Sequence, residues 1–112
     1  MSRDDAQKAC DGFERAIDAS ELAPGEATVA EVAGSEIAIV NLDGEFFALD
    51  NCCPHEEGPL GEGYVQGGAL VCPLHYWEFD VRTGAYLDDA TVCVKRYETR
   101  VEAGVVMVRV DR

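Results

Sequence analysis

Apolar residues fall in short runs, and a turn signal breaks them at intervals of roughly ten residues, the rhythm of an all-β chain. Residues 13–17 read as a first strand, and Ser20 to Gly25 as a turn with room for one helical turn. The stretches 26–33 and 36–42, rich in Val, Ile and Ala, are joined through Gly34-Ser35 as a hairpin. Asp43-Gly44 is the strongest hairpin signal and leads into a strand over 45–49. Gly67-Gly68 lets 63–65 pair with 69–71, Arg82-Thr83-Gly84 turns between 76–81 and 85–87, and Ala103-Gly104 turns between 94–101 and 105–110. The pattern predicts an antiparallel β sandwich or barrel over residues 13–112, behind a polar N-terminal extension over 1–12.

One stretch departs from this pattern. Between Asn51 and Asp80 lie both histidines of the chain and three of its four prolines. The histidines follow cysteines closely, as Cys53-Pro54-His55 and Cys72-Pro73-Leu74-His75. Thiolate and imidazole are donors suited to zinc, copper and iron–sulfur iron. Side chains two apart on an extended chain point the same way, so Cys53 and His55 can reach one centre. Cys72 and His75 need a turn to converge, and Pro73 between them favours an irregular loop. Two centres satisfy such a donor set: a single tetrahedral zinc, or a [2Fe–2S] cluster with two histidines on one iron.

The flanking residues extend the pattern. Gly58-Pro59-Leu60 follows the first pair, Trp77-x-Phe79-Asp80-x-x-Thr83-Gly84 follows the second, and Phe47-Ala48-Leu49-Asp50-Asn51 precedes both. With Cys53-x-His55 and Cys72-x-x-His75, this resembles the small soluble ferredoxins of the Rieske iron–sulfur family, over about residues 13 to 112. The resemblance implies a β base from residues 13–50 and 81–112, with a small cluster-binding subdomain (about 51–80) at one end. It implies a [2Fe–2S] cofactor, with Cys53 and Cys72 on the inner iron and His55 and His75 on the outer one. With neutral histidines the oxidised unit carries no net charge, so reduction is easier than at an all-cysteine site, over roughly −150 to +300 mV.

Two departures narrow that range. Members of quinol-oxidising complexes carry a further bridged cysteine in each ligand loop, at places held here by Gly58 and Leu74. High-potential members donate a hydrogen bond from a serine at the place of Trp77, which has no hydroxyl. Both point to the low end. Of the other cysteines, Cys52 reads as a half-buried thiol facing away from its neighbour, and Cys10 and Cys93 as structural or incidental. Tyr76 and Trp77 read as core aromatics, and Pro59 and Leu60 as a cover over the cluster. Family members often carry prolines over 88–98; this chain has none there, which leaves the packing of that segment open.

Charge sharpens the functional reading. Residues 16–81 hold thirteen Asp or Glu and no Lys or Arg, so the net charge of −13 belongs to the segment with the ligand loops. Nucleic acid is disfavoured, because phosphate binding needs basic residues. Acidic side chains such as Glu56 and Glu57 can steer a carrier toward a basic dock on a redox partner. No apolar run approaches the roughly 18 residues of a membrane span, and no signal region is evident, so a cytoplasmic location is expected. A complete oxygenase would need a mononuclear iron held by two further histidines, which the chain lacks, so it is not expected to be an enzyme. The expected function is one-electron transfer from a flavoprotein reductase to a terminal oxygenase or similar enzyme. The alternative is a small subunit of a larger redox enzyme, such as an assimilatory nitrite reductase.

Overall fold

The computed structural model describes residues 12–52, 58–74 and 76–110. They form twelve strands and two short 3-10 turns, with no α-helix among the described residues. The strands are β1 (Phe13–Asp18), β2 (Ala27–Val32), β3 (Ser35–Leu42), β4 (Glu45–Asp50), β5 (Tyr64–Gln66), β6 (Ala69–Val71), β7 (Glu78–Asp80), β8 (Ala85–Tyr86), β9 (Asp89–Cys93), β10 (Arg96–Tyr97), β11 (Thr99–Glu102) and β12 (Val105–Arg109). They make three antiparallel sheets, in the orders β1-β12-β11, β10-β4-β3-β2 and β5-β6-β7-β8-β9. The all-β expectation holds.

The middle sheet explains the long apolar runs. Along β3, Ile37 and Ile39 face one core with Ala48, Val106 and Val108, while Ala38 and Val40 face a second with Leu49, Leu70 and Phe79. A strand buried on both faces reads as a continuous apolar stretch instead of alternating. Residues from β3 and β4 thus fill two cores, one shared with the three-stranded sheet and one with the five-stranded sheet next to the ligand loops.

Turn chemistry sets the hairpin registers. Asp43 (φ 54°) and Gly44 (φ 93°) are both left-handed, the geometry that matches strand twist in a two-residue hairpin. The buried Asn41 side chain reinforces this turn, its Oδ1 accepting from Gly44 N at 2.8 Å while its Nδ2 donates to Leu22 O at 2.8 Å. The β2–β3 turn falls one residue earlier than expected: Ala33 and Gly34 make it, and Ser35 already pairs with Val32.

The C-terminal third differs most. The expected strand over 94–101 is two strands in different sheets: β10 pairs with β4, and β11 pairs with β12. The chain changes sheets at Glu98, whose carbonyl accepts from Arg109 N at 2.9 Å. Upstream, the proline-free segment supplies β9, an exposed edge strand paired with β8. The five-stranded sheet therefore runs on to Cys93, past the 51–80 stretch.

Candidate metal centre

Of the four expected ligands, Cys72 is described, and Cys53, His55 and His75 lie outside the described residues, as do Cys10, Glu56 and Glu57. Cys72 follows β6 directly and is fully buried, within the core that holds Leu49, Leu60, Leu70 and Phe79. Its loop is closed by Cys72 N donating to Trp77 O at 2.8 Å. Tyr76, left-handed at φ 60°, turns the chain back into β7. Inside the loop, Leu74 N donates to Cys72 Sγ at 3.4 Å, an arrangement that favours a thiolate over a thiol.

The first ligand loop returns against this sulfur. Gly58 is buried, and a Cβ built there would lie 3.0 Å from Cys72 Sγ and 3.0 Å from Leu74 Cδ1. With no side chain, Gly58 can approach this closely without displacing the Leu74 side chain or the sulfur. The two loops therefore meet at Gly58, Cys72 and Leu74, and the two places at which the resemblance locates a bridged cysteine pair lie side by side. Leu60, fully buried, packs into the core that contains Cys72. The buried sulfur, the amide aimed at it and the side-chain-free approach fit a metal–sulfur centre at this junction.

The aromatic neighbours divide. Trp77 is half-buried and stacks on Tyr86 with ring centroids 4.0 Å apart and planes within 5°. Tyr76, expected in the core, is instead 67% exposed, because its left-handed backbone turns it outward. Leu74 and Leu87 are exposed as well. Cys52 is exposed, not half-buried, and forms an isolated β-bridge with Pro59; Cys93 is exposed on β9.

Asn51, which closes the flanking Phe47–Asn51 pattern and has no role in the motif itself, is buried two places before Cys53 and tied to both β3 and the returning limb of the first loop. An asparagine at a strand end carries no sequence signal for such a role. Tyr97 lines the cleft beside it with Glu36 and Asp50, and burial, with the Asp50 charge adding, pushes its hydroxyl above the ordinary tyrosine pKa.

Known proteins agree with this geometry. Residues 13–98 match the family described as the Rieske [2Fe-2S] domain. The ferredoxin subunit of biphenyl dioxygenase from Pseudomonas sp. (strain KKS102) is 39% identical over 103 residues, covering 89% of this chain and 94% of its own. The ferredoxin of carbazole 1,9a-dioxygenase from Nocardioides aromaticivorans IC177 superposes with a TM-score of 0.78 at 32% identity, covering 86% of this chain and 95% of its own. A ferredoxin solved in complex with the oxygenase of carbazole 1,9a-dioxygenase superposes with a TM-score of 0.79 at 28% identity, covering 88% and 93%. Among the described residues no helix is long and apolar enough to cross a membrane. The chain belongs to the Rieske [2Fe-2S] family, as a ferredoxin that carries electrons on a [2Fe-2S] cluster and is not itself a catalyst.

Proposed function

We propose that Cys53 and Cys72 bind one iron of the cluster and His55 and His75 the other, and that the chain takes single electrons from a flavoprotein reductase and delivers them to a terminal oxygenase. The meeting of the two loops at Gly58, Cys72 and Leu74 carries the ligand reading, since it brings the backbone of both loops to one buried sulfur. The cluster supplies reversible uptake of one electron. The Leu74 N–H stabilises charge on Cys72 Sγ, while Leu60, Leu70 and Phe79 keep water from its core side. Replacing Cys53, His55, Cys72 or His75 singly should abolish the brown colour and the iron and acid-labile sulfide content. Cys52→Ser and Cys93→Ser should keep both, and colour surviving in Cys72→Ser would refute the ligand set.

The oxygenase partner is supported by the relatives, which are ferredoxins of oxygenase systems, one of them solved bound to its oxygenase. Leu74, Tyr76 and Leu87 are exposed beside the second ligand loop, and Glu78 and Asp88 line the cleft between Tyr76 and Leu87. Such a face suits a partner that presents apolar contacts ringed by basic residues. Electron transfer to an oxygenase, followed by loss of the reduced spectrum on rapid mixing, should slow as salt rises. On gel filtration the chain should run alone; persistent co-elution with a larger redox enzyme would favour the subunit reading instead.

A further inference from the structure

We propose that Asn51 is a positioning residue that locks the neck of the first ligand loop to the β base, holding Cys53 and His55 in place; the inference rests on the ligand set above. Asn51 is 6% exposed, and its four polar groups are all engaged. Its backbone N donates to Glu36 O at 3.3 Å, extending the β3–β4 ladder one step past Asp50, and its carbonyl accepts from Leu60 N at 2.9 Å. Its Oδ1 accepts from Gly61 N at 2.6 Å, and its Nδ2 donates to Glu36 Oε1 at 3.2 Å. The Gly61 amide can only donate, so the oxygen must face it and the amide nitrogen must face the carboxylate.

One side chain thus joins the outgoing limb of the loop, its returning limb and β3. Between the limbs, Cys52 and Pro59 form a β-bridge directly above this point. The returning limb lies close against the base at Gly61, where a Cβ would lie 2.6 Å from Val29 Cγ2 and 2.8 Å from Thr28 O. The loop is therefore closed at its neck and pressed on β2. Among side chains of this size, only an amide accepts from Gly61 and donates to Glu36 at once. Leucine would keep the branched outline, with bulkier ends, and lose both bonds, leaving the Gly61 amide buried without its partner.

The test uses cluster-loaded protein and compares Asn51→Leu, Glu36→Ala, Glu36→Gln and Cys53→Ser. Hydrogen exchange is followed by mass spectrometry in peptides covering 58–63, 37–42 and 105–109, with visible bleaching and the electron paramagnetic resonance spectrum of the reduced state. In Asn51→Leu, exchange at 58–63 and the bleaching rate should each rise at least tenfold while 105–109 stays at wild-type rates. The reduced signal should broaden, because the ligands occupy a spread of positions. Glu36→Ala should raise exchange at 58–63 a few-fold, and Glu36→Gln, which keeps the acceptor, should restore it. Wild-type behaviour in Asn51→Leu, or equal loosening of 58–63 and 105–109, overturns the proposal. Should Asn51→Leu fail to fold, equal exchange in the two Glu36 variants does so. A cluster surviving in Cys53→Ser would sink the ligand reading itself, whereas a colourless Cys53→Ser beside an unaltered Asn51→Leu sinks this inference alone.

Discussion

Leu60 and Leu22 are matched probes of the two cores. Both are buried, Leu60 in the core shared with Cys72 and Leu22 in the core built on Ile37, Ile39, Val106 and Val108. Truncating either to alanine should cost about 2–5 kcal/mol, the transfer term plus the cavity left behind. Against a total of about 5–15 kcal/mol for a domain, both variants remain folded at room temperature unless the starting stability is at the bottom of that range. At about 4–8 °C per kcal/mol for a small domain, a mid-range loss of about 3 kcal/mol lowers Tm by about 12–24 °C. The two should differ in how the cluster is lost. Leu60 opens the 3-10 turn Leu60–Glu62 on the returning limb of the first ligand loop, and its own N–H is held by Asn51 O. Its truncation weakens the ligand loop locally as well as the whole domain, whereas Leu22→Ala weakens the domain alone. Bleaching of the visible spectrum at 25 °C, set against Tm from circular dichroism, separates the two. At equal Tm depression, Leu60→Ala should bleach at least tenfold faster than Leu22→Ala. Equal bleaching at equal Tm would refute the claim that this leucine secures the loop and not merely the fold.

Gly63→Ala should yield protein with little iron or sulfide, since a Cβ there would overlap the Val71 carbonyl immediately before Cys72; near-normal iron content would show that β6 can yield. Tyr97 holds its proton more tightly folded than unfolded, so its contribution is complete below pH 10.0, the ordinary value, and is lost as pH rises through the folded pKa. Tyr97→Phe should therefore flatten the alkaline fall in denaturant stability, and an unchanged slope above pH 10 would contradict this. Reversing Glu78 and Asp88 to lysine together should slow electron delivery to an oxygenase several-fold at low salt and little at high salt, and equal slowing at both would point to lost contacts instead of lost steering. The reduction midpoint, by optical titration, should fall in the lower half of the roughly −150 to +300 mV range, because Trp77 offers its carbonyl to Cys72 N and its ring to Tyr86 but no hydroxyl.

What could be read in advance was whatever resides in the identity of one or two adjacent residues. Asp43-Gly44 announces its hairpin because left-handed backbone is cheap for that pair, and the β3 run is apolar because both its faces are covered. The split of 94–101 was hidden because it depends on distant partners. Tyr97 pairs with Ala48, Thr99 pairs with Val108, and nothing in the local sequence tells Glu98 that the two belong to different sheets. Tyr76 and Trp77 were likewise indistinguishable as neighbours. The difference arises from a left-handed residue at 76, set by the need to close the Cys72 loop onto Trp77 O.

The metal centre divides along the same line. Ligation is side-chain chemistry, so cysteine and histidine at short spacing suffice to propose a ligand set even where the loop geometry does not follow from sequence. Holding the loops is backbone chemistry: Asn51 to Leu60, Cys52 to Pro59, Cys72 to Trp77 and Gly58 against Cys72 Sγ are contacts of amides, carbonyls and absent β-carbons. Nearly any residue supplies an amide, so those contacts leave little trace in composition. The exceptions are positions where the backbone leaves room for one residue type only. Gly61 and Gly63 show themselves as glycines because Thr28 O in β2 and Val71 O before Cys72 approach closer than a Cβ allows. Asn51 follows the same logic from the polar side, since a buried amide donor and a carboxylate must be met together. A site of this kind keeps its cofactor through fixed loops, so substitutions at 51, 58, 61 and 63 should govern cluster lifetime although none of these side chains supplies a ligand.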